Sequence, residues 1–178
     1  MKDRLILTSD RLQLIPLQHR ELLLWQKDRH ELERSLGLQP SDMLVDPLFR
    51  KEIDDALPHW AGQTRRHADE YYWYTNWEIV LRSQNRSIGG IGLGGPPREE
   101  GVIELGYYID GHYHRQGFAT EALRSLLHWA FAQTGVRVAQ AFTPPDNRAS
   151  QRVLEKCGFH QDGVVEGNLR WEKGAVEE

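Results

Sequence analysis

Short stretches of alternating apolar and polar residues are interleaved with longer stretches of helical spacing along this 178-residue chain. Leu12, Leu14 and Pro16 alternate with Gln13 and Ile15 and predict a first strand over 11–17. Residues 18–36 read as helical, with Leu22, Leu23, Leu24, Leu32 and Leu36 among charges. A second helical region covers 47–60, with Pro58 as its expected end. Residues 62–76 are polar and then aromatic (Tyr71, Tyr72, Trp73, Tyr74), and their pattern assigns no element. From Trp77 the punctuation sharpens. Strands are predicted over Trp77–Leu81 and Ser87–Leu93, joined by a turn at 83–86 and followed by the breaker Gly94-Gly95-Pro96-Pro97. Another strand is predicted over Val102–Ile109, a helix over Gly117–Thr134 with Gly135 near its end, and a strand over Val136–Thr143 stopped by Pro144-Pro145. A helix over Asn147–Cys157 is closed by Gly158, and short strands near 160–166 and 168–173 complete a sheet. Mixed strands and helices without internal repeats point to one α/β or α+β domain over 1–178.

The helix after Gly117 carries a wide apolar face. Phe118, Ala122, Leu126 and Ala130 form one i,i+4 row, and Ala119, Leu123, Leu127 and Phe131 form the next. Burial of that face would hold the helix N-terminus rigid, and unpartnered N–H groups there make an anion site. Gly117 and Ala119 are small enough to let a phosphate approach, and Arg115 can add charge-assisted bonds. Alone, the turn reads first as an ordinary loop-to-helix junction with an exposed Arg. It is neither a Walker A loop nor the G-x-G-x-x-G fingerprint.

Composition narrows the partners. A formal net charge of −4 argues against nucleic acid and favours a neutral or cationic small partner. The single cysteine, Cys157, permits no intrachain disulfide, which fits the cytoplasm, and its row with Ala149 and Val153 places it in the core. The apolar run Leu5-Ile6-Leu7 is too short for a signal peptide or membrane span, so no membrane partner is expected. His112 and His128 have no metal-ligand spacing with other His or Cys, so no metal is expected.

Two separated runs, IELGYYIDGHYHRQGFATEAL (103–123) and PDNRASQRVLEKCGF (145–159), together with TSDRLQLIPL (8–17), resemble the GNAT superfamily of N-acetyltransferases, in particular its RimJ/RimL-like branch. Residues 18–76 match only in layout. The resemblance implies a mixed, mostly antiparallel central sheet flanked by helices and splayed at the CoA-binding strand. It also implies acetyl-CoA as co-substrate. The family's phosphate motif falls on His114, Arg115, Gln116, Gly117, Phe118 and Ala119, with Thr120 following; His114 stands where the family has Gln or Arg. A neutral imidazole still donates one hydrogen bond. Tyr107 and Ile109 fall where backbone groups pair with the pantetheine arm, and the acetyl carbonyl is implied near Leu105–Tyr107.

Amide formation needs a neutral amine, a donor for the oxyanion and an acid for the leaving thiolate. Glu104 is the candidate base: a carboxylate midway along a central strand requires a partner, and the family often places a Glu there. A structural ion pair with an Arg is the other reading. Asn147 is a plausible N-cap with Ser150 at N3. The resemblance implies that Asn147 contacts the pantetheine or acetyl region and that Ser150 bonds and protonates the CoA sulfur. Arg152 faces either the phosphates or solvent. Tyr108 shares the face of Glu104 and is assigned to substrate, as is Trp73, since 71–74 either walls an acceptor pocket or packs. The acceptor is a protein N-terminus or a small amine, and the molecule a monomer or homodimer. A CoA-binding module without turnover, and an interaction domain without CoA, are the competing readings.

Overall fold

A computed structural model describes residues 3–176. The chain begins with β1 (Leu7–Thr8) and β2 (Leu12–Pro16), then α1 (His19–Lys27), α2 (Arg29–Ser35) and α3 (Pro47–Arg66). β3 (Asn76–Leu81), β4 (Arg86–Leu93), β5 (Val102–Ile109) and α4 (Phe118–Phe131) come next. β6 (Val138–Thr143), α5 (Arg148–Lys156), β7 (His160–Val165) and β8 (Asn168–Gly174) complete it. The strands form one sheet in the order β1-β2-β3-β4-β5-β6-β8-β7. Every neighbouring pair is antiparallel except β5 and β6, which run parallel and are joined through α4.

Two expectations change in the N-terminal third. The helix expected over 18–36 is two helices, because Asp28 adopts an extended conformation between them. Asp28 donates its N–H to Leu24 to close α1, and its side chain accepts from His30 N–H to open α2. Pro58 does not end α3, which runs on to Arg66. An internal proline costs a helix about 3 kcal/mol. Ile53, Leu57, Ala61 and Thr64 are buried on both sides of Pro58, and packing of that face offsets the loss. Residues 62–76 hold the end of α3 and a 3₁₀ turn over Ala68–Trp73.

Side chains alternate across β5 and so separate two cores. Ile103, Leu105 and Tyr107 pack with α4 and α5, where Ala122, Leu123, Leu126 and Leu154 are fully enclosed. Tyr108 packs on the opposite face with Leu17, Leu22, Leu32 and Leu57 of the α1–α3 layer. Trp129 of α4 gathers Tyr72, Trp73 and Trp77 around it at centroid distances of 5.4, 5.1 and 5.2 Å. Cys157 lies in this core, as its helical row predicts.

Candidate active site

The α4 N-terminus is built as a rigid concave turn. Arg115 (φ 61°) and Gly117 (φ 79°) are both left-handed, and alternation of this kind turns successive N–H groups to one side as an anion nest. Gly117 is therefore required by backbone conformation as well as by its missing Cβ. Arg11, immediately before β2, pins the turn from behind. Its guanidinium donates to the Gln116 carbonyl at 2.9 Å and to Glu121 at 2.7 Å, and lies 4.3 Å from the Phe118 ring centre. Glu121 also accepts from Ser9 Oγ at 2.7 Å and from the Arg11 N–H at 2.8 Å. Nothing in the local pattern links residues 110 positions apart, and the sequence reading assigns Arg11 no role.

Burial pushes the Glu121 carboxyl up, but the bonds from Ser9 and Arg11 outweigh it and hold its pKa below the ordinary value. A carboxylate with a depressed folded pKa stabilises the fold above its unfolded pKa, and this contribution is lost as pH falls through the folded value. Wild type should therefore lose Tm more steeply than Glu121→Gln as pH drops below about 4.5. Parallel Tm profiles for the two proteins through the acid range would reject this.

The side chains of His114, Arg115 and Gln116 are exposed around the nest, whereas Phe118 and Thr120 are buried beneath it and Ala119 is half-buried. His114 differs from expectation. Its Nε2–H donates to the Ile109 carbonyl at 2.7 Å, so the imidazole is spent within its own loop.

Beside the turn the sheet opens. β5 and β6 pair only at Val102↔Val138, Ile103↔Ala139 and Glu104↔Gln140, and then diverge. Gly94 N–H donates to Glu104 O at 2.9 Å and Asp110 N–H to Ile88 O at 2.8 Å, so the even-numbered residues of β5 bond to β4. The main chains of Leu105, Tyr107 and Ile109 consequently turn toward the opening. A cleft lined by main-chain donors and acceptors and ending on an anion nest fits an extended amide-containing arm with phosphates at one end.

The two faces of β5 bring different groups to this cleft. On the α5 side, the Tyr107 hydroxyl lies 3.0 Å from Ser150 Oγ and 3.1 Å from the Ser150 carbonyl. Burial raises the Tyr107 pKa, so the phenol stays protonated. Only the backbone of Tyr107 is assigned a role by the sequence; its side-chain contact depends on how α5 docks. Asn147 caps α5 by accepting from Ser150 N–H at 3.1 Å, as expected.

On the other face, Glu104 is exposed and forms no ion pair among the described residues, which removes the structural ion-pair reading. Next to it, a Cβ at Gly106 would meet nothing within 4 Å, so the main chain is open to approach. Tyr108 lines a cavity of about 350 Å³ with Trp25, Arg29, Met43, Val45 and Arg50. Trp73 is elsewhere, 6% exposed in the core against Trp129, because the 3₁₀ turn directs it inward.

The carboxylate that does require partners is Glu78 of β3, which is 0% exposed. It receives both guanidinium nitrogens of Arg29 at 2.9 and 2.5 Å, Asn76 Nδ2 at 3.0 Å and Ser87 Oγ at 2.5 Å. Its position in the apolar run Trp77-Glu78-Ile79-Val80-Leu81 is the signal that would have found it. Among the described residues, no group of three or more His, Cys, Asp or Glu is placed to hold a metal, and no helix is long and apolar enough to cross a membrane.

The model of the acetyltransferase (GNAT) domain matches residues 11–160. Over 161 residues the chain is 33% identical to the "Probable N-acetyltransferase YjcK" of Bacillus subtilis, spanning 82% of this chain and 86% of that protein. It is 36% identical over 86 residues to the uncharacterized N-acetyltransferase YjdG of the same species, spanning 48% of this chain and about half, 51%, of that relative. The solved structure of Mycobacterium smegmatis RimJ in complex with CoA-disulfide shares the fold, with a TM-score of 0.61 and 21% identity over 92% of this chain and 82% of that one.

Proposed function

The chain belongs to the GNAT acetyltransferase family, and on that premise we propose that it moves an acetyl group from acetyl-CoA to a primary amine by direct attack in a ternary complex. The observation that carries this reading is the β5–β6 opening, whose free main-chain groups lead onto the left-handed turn at Arg115–Gly117. Acetyl-CoA is a substrate here and brings the thioester. The N–H groups from Arg115 to Thr120 hold its pyrophosphate, and Tyr107 and Ile109 offer main-chain bonds to its arm. Asn147 has spent its side-chain oxygen on the cap and keeps its amide NH₂ for the arm.

The acceptor amine enters on the Gly106 side, a protein N-terminus or a small molecule, with Tyr108 on the floor of its cavity. Glu104, open to solvent, takes the amine proton through water. The strand N–H groups near Leu105–Tyr107 stabilise the developing oxyanion without reorganising. Ser150 returns a proton to the departing sulfur, and the Tyr107 hydroxyl bonded to it orients its Oγ. Holding amine and thioester together supplies the remainder of the acceleration.

Two measurements test this. Acetyl-CoA at about 100 times its Kd should stabilise the protein by about 2.7 kcal/mol, seen as a raised Tm. Thiol release with a panel of primary amines should identify the acceptor. On it, Glu104→Gln and Ser150→Ala should each lower kcat by about 100-fold, with acetyl-CoA affinity nearly unchanged. Unchanged turnover in both variants would remove their assigned roles, and a Tm shift without turnover on any amine would favour a binding module.

A further inference from the structure

One side of the acceptor cavity is formed by Ser41, Asp42, Met43 and Val45, which lie in a stretch (41–46) with no regular secondary structure, so its position depends on tethers. At one end the Ser41 N–H and hydroxyl both bond to the Glu33 carboxylate of α2. At the other, Asp46 caps α3 by accepting from Leu48 N–H at 2.9 Å, and Arg50 donates to the Met43 carbonyl at 3.0 Å. The middle is tied to the opposite half of the site. Leu44 N–H donates to Asp110 Oδ1 at 3.1 Å, and Gly111 N–H donates to the Leu44 carbonyl at 2.8 Å.

Asp110 is 3% exposed and holds more than Leu44. The same Oδ1 accepts from the His112 N–H at 3.0 Å and from His112 Nδ1 at 2.7 Å, which caps the 3₁₀ turn Gly111–Tyr113. That turn runs directly into His114–Gly117. One oxygen thus joins the phosphate turn to the wall of the acceptor cavity. The contact is close-fitting: a Cβ at Gly111 would lie 2.9 Å from Leu44 Cδ2 and 3.3 Å from the Leu44 carbonyl oxygen.

We infer that Asp110 is a positioning residue that transmits CoA binding to the acceptor cavity by holding Leu44 against the phosphate turn. The inference rests on the acetyltransferase reading of the turn and the cavity. Phosphates bound at 115–120 add restraint to a turn already held by Arg11, the turn fixes Asp110, and Asp110 fixes the 41–46 wall. Linkage makes the effect reciprocal, so an acceptor seated in the cavity tightens CoA by the same factor.

Hydrogen exchange with coenzyme A as the probe tests this without knowledge of the acceptor. In wild type, CoA should slow exchange in residues 41–46 by about fivefold or more, the lower end of ordinary coupling between sites. In Asp110→Ala, CoA should still raise Tm, but exchange in 41–46 should no longer respond. Asp110→Asn keeps an oxygen for Leu44 N–H and should restore part of the response. Should Asp110→Ala not fold, Gly111→Ala leaves the carboxylate intact and pushes directly on Leu44, and it should weaken the response in the same segment. An undiminished response in the folded variants, or a wild-type segment indifferent to bound CoA, would overturn the inference alone. Failure of wild type to bind CoA at all would overturn the acetyltransferase reading and this one with it.

Discussion

Replacing Glu78 with alanine should cost the fold about 3–5 kcal/mol, read as an earlier midpoint in urea unfolding. The loss comes from the partners left behind. Arg29 is held protonated inside the protein: burial works against its charge, and Glu78 outweighs it through Coulomb attraction and paired hydrogen bonds. Without Glu78, the guanidinium keeps Glu33 at 3.3 Å from Nε, the Ser87 hydroxyl at 3.1 Å, and its stacking 4.6 Å from the Trp25 ring centre. Asn76 loses its acceptor in the same step, and Ser87 keeps only the longer contact to the Gly89 carbonyl at 3.4 Å. Glu78→Gln fills the same space and should lose less. The double variant Glu78→Leu with Arg29→Met removes both charges and should recover much of the stability, since apolar replacement of a buried pair is often neutral. A single Glu78→Ala variant within about 0.5 kcal/mol of wild type, the usual range for surface changes, would show that the network holds nothing in place.

Gly117→Val should lower CoA affinity by about 100-fold or more, equivalent to about 2.7 kcal/mol, by titration calorimetry. Two effects combine. A β-branched residue at φ 79° is strained and favours a right-handed turn, which would rotate the N–H groups out of the nest. Its side chain would also fill the space through which a phosphate reaches the backbone. Gly117→Asn separates the two, because Asn tolerates the left-handed region. Its Cβ would sit 3.4 Å from the Arg11 guanidinium, close to ordinary contact, so stability should be nearly retained while affinity falls only in part. Equal CoA affinity in wild type and Gly117→Val would mean that the phosphates bind elsewhere.

The stretch from Trp77 to Phe159 is legible in the sequence because its punctuation is local. Gly117 and Gly135 bracket a helix, Pro144-Pro145 stop a strand, and Asn147 caps the helix after it. The N-terminal third is less legible because distant packing decides it. Asp28 breaks a helical run through its own cap, a signal present in Asp28-x-x-Glu31 but masked by the leucines on either side. Pro58 is carried through α3 by a buried face that extends beyond it.

The rule that a carboxylate in a central strand needs partners is sound, yet it describes Glu78 and not Glu104. Alternation along one strand does not reveal that β5 borders an opening, nor that its face is left uncovered at Glu104. Likewise, spacing places Ser150 at N3 of its helix, but only the docking of α5 brings it to the Tyr107 hydroxyl. Arg11, Leu44 and Asp110 act across the fold and leave no local pattern.

The seam of three residue pairs between β5 and β6 has a consequence for how such a protein diversifies. The cleft offers the arm main chain, which every substitution but proline preserves, so recognition of the co-substrate does not itself dictate side chains along β5, and core packing of Ile103 and Leu105 does. On the proposed reading of the cavity, acceptor preference is written largely in the segment from α1 to α3, one continuous stretch of sequence. Evolution, or an engineer, can exchange that stretch as a cassette and inherit the acyl donor intact, provided the incoming loop still offers Asp110 a backbone N–H where Leu44 now stands.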